Sequence, residues 1–372
     1  MITVKEVKTR RDLKKFIDFP VKLYKDNPYF CPTLAIDEMM NLDPKKNPAY
    51  EYCETRLFLA YRDGEIVGRI GGLINHAYNE KIGKKQIRFT RFDVIDDIEV
   101  TKALFDEVIK WAKSRDIHEM IGPIGFCDLD KQGLLVDGFE EQNLFITLYN
   151  HPYYMKHLEQ LGFVKDVDWV EYQIFAPEKI NERFERLAEA IKKRYGYKII
   201  NLKSKRQAKK HIYESFEIVN EAFSHLYGVV PLTREQMEIY VKQFTMLVNL
   251  DYLYLVTNKN DELIGFGLMA PSFAEATRKS KGKLFPLGWY RILRSIKKHD
   301  VLEMYLIAVK PEYQGLGVNA LILYEGIKTA LKNNVKICET GPELETNTKV
   351  QDLWKGFKTR QHRRRRCYKL TF

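Results

Sequence analysis

The sequence predicts an α/β protein, a mixed sheet flanked by helices, built from two tandem copies of one unit. Three pairs of segments, in the same order in each half, predict it. Residues 57 to 70 read as two apolar strands joined at Asp63-Gly64, and residues 253 to 268 have the same layout, with Gly68 matching Gly265. The stretch from Ala103 to Trp111 has apolar positions at helical spacing and runs on through Ile117 and Met120 to Gly122-Pro123. Residues 320 to 331, then Val335 to Cys338 and Gly341-Pro342, repeat it. A closing strand at 169 to 174 is echoed at 366 to 371, setting Tyr172 against Tyr368.

Each copy therefore reads helix, strand hairpin, strand, helix, strand, helix, strand. The boundary falls at Ala176/Pro177, giving units 1–176 and 177–372, and the second opens with a charged amphipathic helix carrying Glu182, Arg183, Arg186, Lys192, Lys193 and Arg194. Between the copies the offset grows from 197 residues at Gly68/Gly265 to 219 at Pro123/Pro342. The extra residues lie in a basic insertion at 271–300, with Lys279, Lys281, Lys283, Arg291, Arg294, Lys297 and Lys298.

A chain of 372 residues with 45% hydrophobic and 30% charged side chains suits two packed domains and excludes a disordered or fibrous protein. Net charge is +11, but residues 1–176 hold 25 basic and 29 acidic side chains, so the second unit carries +15. An anionic partner is to be sought there. No apolar run approaches a membrane span, and the charged start does not read as a secretory signal, which points to a soluble, cytoplasmic protein. Five scattered cysteines without C-x-x-C, and histidines without ligand spacing, imply neither a disulfide framework nor a metal.

The chemistry concentrates in residues 301–321. An apolar strand ends at Val309, Pro311 stops it, and Gln314-Gly315-Leu316-Gly317 turns into a helix near Val318. Such a turn aims unpaired backbone N–H groups at the positive end of a helix dipole, and glycines let a phosphate approach. The other reading of the glycines is a plain turn. In the first copy the same position reads Phe92-Asp-Val-Ile-Asp-Asp-Ile-Glu, where Asp93, Asp96, Asp97 and Glu99 would repel a phosphate.

Ala308-Val-Lys-Pro-Glu-Tyr-Gln-Gly-Leu-Gly-Val resembles the acetyl-CoA pyrophosphate loop of the GNAT N-acetyltransferase superfamily, with Asn319 at the last small position. With Asn47-Pro48, Gly68-Arg69-Ile70, Gly122-Pro123, residues 133–139 and Asn150 to Tyr154, the whole chain is similar to bacterial tandem GNAT-fold proteins of the YghO type. The resemblance implies that the second unit binds acetyl-CoA or another acyl-CoA through Ile307, Ala308, Val309, Gln314, Gly315, Leu316, Gly317, Val318, Asn319, Ala320 and Asn347. The first unit would lack CoA. It further implies direct attack of an amine, on a small molecule or a peptide, upon the thioester in a ternary complex. Glu303 is then the general base, and its other reading is a paired or solvated strand carboxylate. Simple alternation sets Glu303, Tyr305 and Ile307 on one strand face.

The tyrosine that protonates the thiolate in this superfamily is replaced by Trp354 in the second copy and by Leu158 in the first; Tyr305, Tyr313 and Tyr324 are candidate substitutes. Tyr305, Tyr153 and Tyr154, with residues 133–139, are expected to line the acceptor pocket near the junction of the units. The run Arg363 to Arg366, with the basic insertion, reads either as a strand end or as a patch for RNA, anionic membrane or CoA phosphates. Two rival functions are a Fem-type transferase that takes aminoacyl-tRNA and a non-catalytic acyl-CoA-binding protein.

Overall fold

A computed structural model describes residues 1–372, the side chains of Phe244, Met246 and Leu247 excepted. In chain order the first repeat forms β1 (Ile2–Glu6), α1 (Arg10–Leu23), α2 (Ala35–Asn41), β2 (Cys53–Arg62), β3 (Glu65–Asn75), α3 (His76–Ile82), β4 (Ile87–Val94), α4 (Ile98–Lys113), β5 (Glu119–Gly122), β6 (Leu134–Asp137), α5 (Tyr153–Gln160) and β7 (Val164–Phe175). The second forms α6 (Glu182–Tyr195), β8 (Lys198–Ile200), α7 (Lys205–Phe223), α8 (Arg234–Leu247), β9 (Leu253–Thr257) and β10 (Leu263–Pro271). The insertion follows as α9 (Ala274–Lys279) and α10 (Gly288–Lys297). Then come β11 (Val301–Val309), α11 (Val318–Lys332), β12 (Ile337–Thr340), β13 (Glu343–Leu344), α12 (Thr348–Gln351) and β14 (Thr359–Thr371).

Packing gathers these elements into two units that interleave the repeats. One comprises Met1–Val170, Phe273–Ile292 and His362–Phe372; the other comprises Glu171–Ser272 and Leu293–Gln361. In the first the strands run β1-β2-β3-β4-β5-β14-β7, and in the second β7-β12-β11-β10-β9-β8. The pairs β4/β5 and β11/β12 are parallel, as helical crossovers α4 and α11 require. Each unit's closing strand comes from the other repeat: Tyr368 of β14 pairs with Gly122 of β5, while Phe175 of β7 pairs with Ile337 of β12. The passage at Val170/Glu171 lies just before the sequence boundary at Ala176/Pro177.

The repeat is visible in the packing of two glycines. A Cβ on Gly68 would meet Leu104, Val94 and Val100, and one on Gly265 would meet Val318 and Val309. Each glycine thus lets the helix after the fourth strand of its copy settle on the hairpin, and Val94 corresponds to Val309. In the first unit α4 and α5 bury Leu104, Phe105, Val108 and Leu158 against Phe58, Ile70, Phe89 and Phe92. In the second, Val318, Leu321 and Ile322 of α11 pack on Tyr254, Val256, Ile264 and Val309, while α7 covers the opposite face of β10 and β11.

Candidate active site

The site begins with an interruption in β11. Its parallel pairing with β12 runs from Val301/Ile337 to Met304/Thr340 and stops. On the other side, consecutive residues Leu268 and Met269 of β10 pair with Leu306 and Met304, leaving Tyr305 as the extra residue of a bulge. A bulge bends and twists its strand, so β11 leaves β12 here and a wedge opens between them. Lys310 N–H reaches the Ile264 carbonyl on β10 at 2.9 Å, so by antiparallel alternation the backbone groups of Val309 and Ile307 face the wedge.

The bulge corrects the expected strand faces. Alternation alone sets Glu303, Tyr305 and Ile307 together, but the observed register aligns Glu303, Leu306 and Ala308 with Ala270, Leu268 and Phe266. Met304, Ile307 and Val309 fall on the other face, beside Met269, Gly267 and Gly265 under α11. The extra residue at Tyr305 inverts the phase. Glu303 is therefore separated from Ile307 by the sheet.

Beyond Val309, residues Pro311–Tyr313 form a 3₁₀ turn, Gln314 is extended, and Gly315 and Gly317 take φ of 77° and 87°. The Gln314 amide donates to the Val309 carbonyl at 3.2 Å, tying the loop to the strand end. Gly317 caps α11 without any side-chain hydrogen bond. Among the described residues no acceptor takes the N–H groups of Gly315, Gly317, Val318, Asn319 or Ala320. Those donors, at the positive end of a 15-residue helix, fit a diphosphate. Leu316, Asn319 and Ala320 are half-exposed on the same turn. Asn347 caps the four-residue α12 through its backbone, and its side chain makes no cap bond.

The matching end of the first unit is closed by its own side chains. Asp97 accepts from the N–H groups of Glu99 and Val100 at the start of α4 and pairs with Arg62. Tyr154 donates nothing outward: its hydroxyl accepts from Val94 N–H at 2.8 Å and meets the Tyr24 hydroxyl at 2.8 Å, inside the core. Tyr153 donates to the Val94 carbonyl at 2.6 Å. Both backbone groups of the residue equivalent to Val309 are thus occupied by tyrosines from α5. Asp93 is buried with Arg69 at 2.7 Å and accepts from Tyr24. Residues 133–139 are likewise structural, since β6 pairs with β14 and Gly133 packs on Arg365 and Trp169.

On the face of the second unit that carries Glu303 lies a polar row that sequence reasoning missed. Glu303 is fully buried and accepts from the Ser272 hydroxyl at 2.7 Å. Its register partner is Glu339, which accepts from the Gln173 amide at 2.9 Å; Arg360 in turn donates to Gln173 Oε1 at 2.6 Å. Near Gly341-Pro342, Glu343 accepts from the Trp354 indole at 2.8 Å, and burial pushes its carboxyl up to about 7 against the pull of Trp354 and Thr340. The only sequence signal for these residues was the strand alternation of β12 and β7. Their neighbours arrive from distant segments.

At the two positions where a thiolate-protonating tyrosine is replaced, Trp354 is buried and bound to Glu343, and Leu158 is core. Tyr324 donates to Glu185 at 3.0 Å, Tyr313 accepts from Asn258 at 3.1 Å, and Tyr305 sits half-buried at the bulge. The arginine run is neither a solvated end nor an open patch. Arg363 and Arg365 are buried in the first unit, bonded to the carbonyls of Gln142 and Leu148 and to Asn143. Arg364 and Arg366 both grip Asp168.

The model of the acetyltransferase (GNAT) family matches residues 212–357, which hold β9 to β12 and the glycine loop. The chain is 29% identical to protein YghO of Escherichia coli over 366 residues, covering 96% of this chain and 93% of that protein. It is 27% identical over 327 residues to the bacterial ceramide synthase of Caulobacter vibrioides, covering 84% and 82%. Among solved structures, a tandem GNAT protein from the clavulanic acid biosynthesis pathway superposes with TM-score 0.55 at 12% identity, covering all of this chain and 98% of that one. A GCN5-related N-acetyltransferase from Sphaerobacter thermophilus gives 0.51 at 12% identity, covering 100% and 95%. These likenesses carry the fold.

Proposed function

The chain is a GNAT-family protein of the YghO type with tandem GNAT fold, and from that premise we propose that its second unit transfers an acyl group from acyl-CoA to the amine of an amphiphilic acceptor. The observation that carries the reading is the contrast between the two helix starts. That of α11 offers uncommitted N–H donors beside an open strand edge, and that of α4 is filled by Asp97, Tyr153 and Tyr154. One acyl-CoA per chain follows.

The diphosphate would lie on Gly315 to Ala320, and the pantetheine arm would run along the wedge past Val309 and Ile307. CoA supplies the activated thioester. An alkylamine with pKa near ~10.4 is unprotonated in about one molecule per thousand at neutral pH, so attack needs a base. Glu303 serves, directly or through a water, on the sheet face opposite α11. The amine nitrogen forms the amide bond as the C–S bond breaks; its proton passes to Glu303, and the thiolate leaves as CoA thiol after taking a proton from solvent. Ser272 holds Glu303 in place.

The acceptor class follows the name of the Caulobacter relative, bacterial ceramide synthase, a ceramide being by definition an amide of a long-chain amino alcohol. The test is thiol release from acetyl-CoA and from long-chain acyl-CoA, each against a long-chain amino alcohol and a panel of polar amines. Turnover confined to polar amines would reject the amphiphilic acceptor. Calorimetric CoA binding without turnover of any amine would favour the non-catalytic reading.

A further inference from the structure

We propose that α10 and the loop leading into it form a docking element for an anionic lipid surface. Nine large hydrophobic side chains are strongly exposed among the described residues, and five of them lie within residues 285–293. Phe285 is 78% exposed, and Leu287, Trp289, Tyr290 and Leu293 are each about half exposed. At 100° per residue Trp289, Ile292, Leu293 and Ile296 form one stripe of α10. Ile292 turns inward, while Trp289 and Leu293 of the same stripe, with Tyr290 beside them, meet solvent.

The patch is held out on a firm base. The Gly282 carbonyl accepts from Ala35 N–H at 2.9 Å, and a Cβ on Gly282 would lie 2.4 Å from the Thr33 carbonyl oxygen. Cys31 meets Thr277 at 3.2 Å, and Arg291 donates to the Lys279 carbonyl at 2.8 Å, fastening α10 to α9. The Trp289 indole donates to the Pro286 carbonyl at 3.0 Å. Exposure here is built in.

What surrounds the patch identifies its partner. Lys279, Lys281, Lys283, Arg294, Lys297 and Lys298 are exposed around it, against Glu275 and Asp300 as the acidic residues of 271–300. Protein interfaces are depleted in lysine at their cores, whereas interfacial helices combine aromatic and aliphatic anchors with a lysine- and arginine-rich flank. Trp and Tyr favour the headgroup level, and each basic side chain near an anionic leaflet adds attraction. No helix among the described residues is long and apolar enough to cross a membrane, so the element would lie on the surface. This docking stands independently of the acyl-transfer reading.

The experiment is flotation of the full chain with vesicles of phosphatidylcholine alone and of phosphatidylcholine mixed with phosphatidylglycerol, without CoA or amine. Binding is expected to the anionic vesicles and to fall at least about ten-fold on raising salt from 0.05 to 0.5 M, as screening of basic contacts requires. The exposed double variant Trp289→Asp/Leu293→Asp should lose binding at least about ten-fold while keeping its circular dichroism and melting temperature. Lys281→Glu/Lys283→Glu should weaken binding to anionic vesicles only. Equal binding to both vesicle types, or binding to neither, overturns the proposal. A concentration-dependent dimer in lipid-free buffer that the Trp289/Leu293 variant abolishes would assign the patch to a second copy and overturn it too.

Discussion

Gly317 lies so close to Ile191 of α6 that an added methyl would sit 2.7 Å from the Ile191 Cδ1 atom. At φ 87° the same residue starts α11 in a conformation that disfavours side chains. Gly317→Ala should therefore lower stability by about 1–3 kcal/mol through backbone strain, beyond any clash. Gly315 has a similar φ of 77° but open space around it. Gly315→Ala should cost less stability, and both variants should weaken CoA binding at least about ten-fold by calorimetry. Equal stability losses at the two glycines would show that the Ile191 contact is soft.

Glu303→Gln keeps the size of the side chain and its acceptor for Ser272, while removing the base. The turnover rate should fall by about 10²- to 10⁴-fold with CoA affinity unchanged, read by thiol release and calorimetry. Ser272→Ala should have a smaller effect on rate, because it removes a hydrogen bond to Glu303 and leaves the carboxyl itself.

Tyr154→Phe strips the acceptor from Val94 N–H and the partner from Tyr24 in a fully buried setting. Leaving a buried donor unsatisfied costs about 1–3 kcal/mol, measurable by denaturant unfolding. The stoichiometry of CoA should remain one per chain, because Asp97 still fills the start of α4. Two CoA molecules bound to the variant would mean that the tyrosines alone exclude the second.

Much of the architecture was legible because it rests on local pattern. The Asp63-Gly64 hairpin, the Gly68 and Gly265 contacts and the Gln314 to Gly317 turn each depend on a few adjacent residues, and the structure has them where the sequence put them. What alternation cannot reveal is an extra residue in a strand or a distant partner. The bulge at Tyr305 inverted the expected faces of β11, and the pairing of β14 with β6 set Arg363 and Arg365 inside the first unit and Arg364 and Arg366 on Asp168, where an open basic patch was one expectation. Glu343 was unreadable for the same reason: its environment is made by Trp354, Thr340 and Glu171, none of which is patterned with it in the chain.

Asp168 carries the counter-charge for that basic strand. Burial raises its carboxyl, but hydrogen bonds from Arg366 and Arg364 outweigh burial and hold it below the usual range. A depressed carboxylate contributes stability above its unfolded pKa of ~3.9 and loses that contribution as pH falls through the lower folded value. Asp168→Asn should cost about 3–5 kcal/mol near neutrality by leaving two half-buried guanidiniums without their anion, and the loss should shrink in acid.

Glu343 predicts the opposite pH dependence. Its carboxyl is pushed up to about 7 by burial, so the folded state holds the proton more tightly than the unfolded chain, whose value is near ~4.3. Its contribution to stability is full below the unfolded value and declines as pH rises towards 7, then stays low. Glu343→Gln stays neutral throughout and keeps an oxygen for the Trp354 indole. The variant and the parent should therefore unfold alike near pH 4.5, and by pH 8 the variant should be the more stable, by on the order of 1–3 kcal/mol. Denaturant unfolding at both pH values measures this, and a gap that does not change between them would mean that Glu343 titrates as an ordinary carboxylate.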